Sequence, residues 1–154
     1  MAPRIPSRSR SRIRSRLLRA AVLCGVLAGP CAHAADLVVI VSARNPVATL
    51  RADQVAAIFL GQAVRFPDGV EAVPYDQRLG AAARDEFYAR VTGKTPALVK
   101  AHWSKMVFTG RGEPPAELAD SAAVRRRVAE DREAIGYIDR GALDPSVHTV
   151  LVVQ

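Results

Sequence analysis

Two apolar stretches of the chain end in polar side chains that together could hold a small anion. Ser42 and Asn45 follow Leu37-Val38-Val39-Ile40-Val41, and Asp76 and Arg78 follow Val70 to Tyr75. A hydroxyl, a carboxamide, a carboxylate and a guanidinium suit an oxyanion that still carries a proton. In that arrangement Arg78 supplies charge and Ser42 and Asn45 supply neutral hydrogen bonds, while Asp76 either orients Arg78 or accepts the ligand's proton. Ligands of open α/β folds gather beyond the carboxyl ends of the strands, where helix starts present unpaired backbone N–H groups. Ala43, Arg44, Tyr75, Gln77 and Gly80 belong to the same two loops, and Asp139-Arg140 after Ile138 form a third.

Catalysis finds no comparable set. His102 and His148 lie far apart in sequence, on an expected helix and strand, and the chain has no nucleophile elbow and no H-E-x-x-H spacing. Both read as boundary residues with satisfied hydrogen bonds. Asp85-Glu86 and Glu130-Asp131 are adjacent pairs, which on a helix point away from each other and read as solvated faces. Arg125-Arg126-Arg127 fans around a helix with Glu130, Asp131 and Glu133 close behind, so it reads as a compensated surface. Gly110-Arg111-Gly112 lacks the Lys-Ser/Thr of a phosphate loop, and Trp103 at helical spacing from Val99 reads as core. A non-enzymatic protein without cofactor or metal is expected.

The charge is unevenly placed. The 154 residues carry 22 Lys+Arg against 15 Asp+Glu, a net +7 that would suit nucleic acid. Seven of those basic residues are arginines before residue 20, and the first acidic residue is Asp36. From Asp36 onward 15 basic residues face 15 acidic ones, which removes the nucleic-acid reading. A basic stretch, an apolar stretch from Leu17 to Ala28 too short to span a bilayer, and Ala32-His33-Ala34 read as a secretory signal peptide over 1–34. Cleavage after Ala34, or after Ala35, leaves one domain over 35–154 in the periplasm. No adjacent arginines mark a twin-arginine signal, and Pro30 before Cys31 argues against lipidation. Cys24 and Cys31 leave with the signal, so no disulfide supports the domain.

The elements that must position the polar groups follow from periodicity. Leu37–Val41 is a continuous β-branched run, expected as a central, parallel-type strand covered on both faces. Helices are expected over 53–60 with Gly61 as stop, over 79–91 ending near Gly93, from Pro96 through Val107, and from a cap at Asp120 or Ser121 to Arg132. Phe66-Pro67-Asp68-Gly69 reads as a turn. Further strands are expected at Val70–Tyr75, Ile135–Ile138 and Val147–Val153. Alternating strands and helices give a small three-layer α/β domain with a mostly parallel mixed sheet.

Several of these segments resemble the phosphate-binding proteins of ABC importers, and more closely their short single-domain relatives in the type 2 periplasmic-binding-protein superfamily. The matching stretches are Gln54 to Gly61 with Phe66-Pro67-Asp68-Gly69, Val73-Pro74-Tyr75-Asp76-Gln77-Arg78, Arg84-Asp85-Glu86-Phe87, Trp103 to Pro115, and Ala134 to Ile138. They follow the family's order. The resemblance implies a periplasmic-binding-protein type 2-like fold, no catalysis, and phosphate as the inherited ligand class; a small oxyanion such as phosphate is the expected ligand, and an ABC permease or a periplasmic sensor domain the expected partner. One departure stands out. Where the family has a pattern resembling R-x-D-G-S-G-T-R-D-x-F, this chain places Ala81, Ala82 and Ala83 at the Ser-Gly-Thr positions, so two hydroxyl donors are missing. Such a site would be weak or altered, and a ligand-free interaction module on the same fold is the alternative.

Overall fold

The computed structural model describes residues 36–154; the expected signal peptide and its cleavage point lie outside the described residues. In chain order the described part runs β1 Leu37–Ser42, α1 Ala52–Phe59, β2 Val73–Gln77, α2 Ala82–Thr92, α3 Pro96–Phe108, β3 Ala116–Leu118, α4 Ser121–Glu130, β4 Ala134–Asp139 and β5 Val147–Val152. A short 3-10 turn, Arg140–Ala142, links β4 to β5.

The strands form one mixed sheet in the order β3-β2-β4-β1-β5. β2 runs parallel to β3 and β4, whereas β1 runs antiparallel to both β4 and β5. β1 is therefore central and buried throughout, as its composition predicts, but it is not the parallel-type strand expected. An unbroken apolar run reports that both faces are covered and carries no information about strand direction.

Side chains alternate across β1 and thereby define three layers. Leu37, Val39 and Val41 join Val55, Ile58, Phe59, Phe87, Tyr88, Val99 and Trp103 of α1, α2 and α3. Val38 and Ile40 join Val124 and Val128 of α4 on the other face. Gly136 in β4 makes the second contact close: a Cβ there would stand 2.4 Å from Val124 Cγ1.

Helix ends follow local chemistry. Thr95 accepts from the Leu98 N–H with Pro96 at the first position of α3, and Asp120 accepts from the Ala123 N–H at the start of α4. Gly61, in the left-handed region at φ 66°, ends α1 against the Trp103 ring. α2 starts at Ala82, later than its periodicity suggests, because Gly80 turns the chain at φ 80°. α4 stops at Glu130, with Asp131 already extended. β2 begins only at Val73, since Val70 still closes the Phe66–Gly69 turn by accepting the Phe66 N–H. β3, three residues after Pro114-Pro115, has no sequence signal of its own.

Candidate functional site

The polar core of the molecule sits at the carboxyl ends of β2 and β4, and Asp76 is its centre. The carboxylate is 1% exposed. Oδ2 accepts from Arg84 Nε at 2.9 Å and from the Tyr88 hydroxyl at 3.0 Å. Oδ1 accepts from the Gln77 N–H at 2.8 Å and from the Tyr137 hydroxyl. Tyr137 stacks on Phe87 with ring centroids 3.9 Å apart, and the Arg84 guanidinium lies over the Tyr88 ring. These contacts tie β2, β4 and the first two turns of α2 into one unit.

Burial governs the protonation of this group. Desolvation pushes the Asp76 carboxyl above the usual carboxylate range, against the opposing pull of Tyr137, Arg84 and Tyr88. For Arg84, burial works against the charge, but the neighbouring Asp76 carboxylate outweighs it and holds the guanidinium above its ordinary value. Burial, followed by the charge of Asp76, also raises both tyrosine hydroxyls, which therefore remain donors. A second set of bonds extends the network to α4: Gln77 Nε2 donates to Ser121 Oγ and to the Tyr137 carbonyl, and Ser121 Oγ donates to Asp139.

Beside this network the loop 78–81 leads into α2. Arg78 is exposed; its N–H donates to the Leu118 carbonyl and its own carbonyl accepts from the Ala81 N–H. The Leu79 N–H donates to Glu117. Ala81 stands at the cap position of α2 and offers no side-chain acceptor. The Ala82 and Ala83 N–H groups have no preceding helical turn to supply carbonyls, so the positive end of the helix dipole opens beside Arg78.

Ser42 and Asn45 are elsewhere. The register pairs Val41 with Ile135, and Ile135 with Pro74, so the end of β1 lies level with the beginnings of β2 and β4. Along the strands this separates Ser42 from Asp76 by roughly 10 Å or more. Both side chains are already engaged at the carboxyl end of α4. Ser42 Oγ donates to the Ala129 carbonyl at 3.4 Å; Asn45 Nδ2 donates to the Arg132 carbonyl at 2.8 Å, and its Oδ1 accepts from the Val47 N–H. Helix carbonyls are the wrong partners for an anion. The four residues predicted from strand ends thus do not converge: the rule assumes parallel strands, and β1 is reversed. Asp76, moreover, orients Arg84 rather than Arg78.

Both described histidines and two arginines of α4 have structural partners. His102 Nε2 donates to the Leu60 carbonyl and His148 Nε2 to the Val47 carbonyl, both at 2.8 Å. Arg125 pairs with Asp144, and Arg127 donates to the Tyr75 hydroxyl. Sequence reasoning overlooked Arg84, Tyr88 and Tyr137. A signal existed for two of them, because Arg84 and Tyr88 are four residues apart and share one helix face. It also overlooked a groove of about 520 Å³ beside the α2 start, where Lys100 of α3 faces the same space as Leu79 and Glu117.

Solved structures similar to this fold include phosphate ABC transporter substrate-binding proteins and receptors. A protein from Clostridium perfringens, described as a phosphate ABC transporter substrate-binding protein and solved with bound phosphate, superposes with a TM-score of 0.61 at 23% identity, covering 75% of this chain and 44% of its own. An ABC-type phosphate transport receptor from Vibrio cholerae gives 0.59 at 17% identity, covering 75% and 45%. This chain shares the fold of those substrate-binding proteins. PstS from Borrelia burgdorferi adds a third likeness, with a TM-score of 0.57 at 10% identity, covering 75% and 46%. The chain therefore spans less than half the length of each. No family model and no curated protein matches it.

Proposed function

We propose that this chain is a non-enzymatic, periplasmic solute-binding-type protein that takes phosphate or a related small oxyanion weakly at the start of α2. The observation that carries this reading is the uncapped helix start with exposed Arg78 beside it. Backbone N–H groups and the helix dipole would hold the anion, Arg78 would supply the charge, and the Asp76–Arg84 pair would keep the helix start rigid. Asp76 has both oxygens occupied and would not take the ligand's proton. Ser42 and Asn45 would brace α4 and have no part in binding.

The alanines at 81–83 set the strength. Each missing donor in a buried anion site lowers affinity by about 1.5 to 3 kcal/mol, an order of magnitude or more. Calorimetric titration with inorganic phosphate should give measurable heat for the wild type and about tenfold weaker binding for Arg78→Ala. Absence of both heat and thermal shift at millimolar phosphate would exclude phosphate as the ligand.

A second reading, the ligand-free module that docks on a permease or a periplasmic sensor domain, is favoured by exposed Leu79 and Phe108 near the same helix start. Both readings place the protein beyond the inner membrane, and among the described residues no helix is long and apolar enough to cross a membrane. Protein recovered from the periplasm should begin at Ala35 or Asp36; recovery only from the cytoplasm with the arginine-rich segment intact would contradict export.

A further inference from the structure

The face beside the α2 start is apolar where an isolated domain would be polar. Phe108 is 93% exposed, Leu79 66% and Val107 54%, and all three line the groove of about 520 Å³ together with Trp103 and Pro114. A projecting phenyl ring and a receptive groove on one surface are the two halves of a self-complementary contact. The charges agree: Lys100 and Glu117 both line the groove, and among the described residues they form no ion pair with each other or with any other group in the chain.

We propose that this face is the interface of a symmetric dimer, its occupant being a second copy of the same chain. Phe108 of each copy enters the groove of the other, and Lys100 of each copy meets Glu117 of the other across the twofold axis. Like charges fall opposite each other in neither pair, which is what an isologous contact requires. Leu79 adjoins Arg78, so the second copy also forms a wall over the open side of the α2 start. This inference is independent of whether phosphate binds.

The test is sedimentation of the purified protein, expressed from the full-length sequence, over a concentration series. The wild type should show a concentration-dependent shift to twice the protomer mass. Phe108→Glu should weaken association roughly thirtyfold or more, and its exposed position leaves the thermal melt unchanged. Lys100→Glu and Glu117→Lys should each weaken the dimer, whereas the double variant, which exchanges the charges, should restore it. A wild type that remains monomeric at about millimolar concentration overturns the proposal and leaves the groove to another protein or an amphiphilic small molecule. So does a dimer indifferent to both Phe108→Glu and the single charge reversals.

Discussion

Asp76 shows how one buried carboxylate can organise a small domain. An ion pair buried as deeply as Asp76–Arg84 adds little net stability over an apolar pair, yet removing one partner strands the other charge. Asp76→Asn also turns an amide donor toward the Arg84, Tyr88, Tyr137 and Gln77 donors and should therefore destabilise the fold by about 3 to 5 kcal/mol, measured by urea unfolding. The pH dependence of that loss has a definite sign. Burial raises the Asp76 carboxyl in the folded state, so the native chain holds this proton more tightly than the unfolded one. Its contribution is full below the unfolded value of about 3.9 and is lost as pH rises through the raised folded value. The stability gap between wild type and Asp76→Asn should accordingly widen as pH falls from about 8 toward about 4, and a gap that narrows would refute the assignment. Sequence reading located Asp76 at the end of a strand but paired it with Arg78, its near neighbour in the chain. The true partner, Arg84, is reached only when the first turn of α2 folds back over β2, a contact that strand-end reasoning does not contain.

Elements were legible where local chemistry decides them. Pro96 after Thr95, Asp120, Gly61 and Gly93 each mark a helix boundary through a cap or a left-handed residue, and each lies at a helix end in the structure. The direction of β1 was not legible, because burial on both faces makes the same apolar run in either direction; β3 was not, because three residues are too few for periodicity to appear. Two measurements follow at this scale. Gly136→Ala should cost about 1 to 3 kcal/mol, since the added methyl must displace Val124 on α4; an unchanged melting curve would mean that α4 is not seated on β4 as described. Ala81→Ser, which supplies the side-chain acceptor that α2 lacks, should stabilise the protein by about 1 kcal/mol, and a loss of stability would contradict the extended cap conformation of residue 81.

At the scale of the molecule the chain is neutral from Asp36 onward, so no long-range field draws anions toward it, and any affinity must come from a few fixed groups. The described chain spans less than half the length of the solved structures it resembles, and in it the start of α2 lies beside the exposed Arg78 and Leu79. The most direct test is amide chemical-shift mapping during titration with inorganic phosphate. Binding at the start of α2 should give shifts concentrated on Gly80 through Arg84, and much reduced in Arg78→Ala. Shifts centred on Ser42 to Asn45, or none at millimolar phosphate, would contradict it.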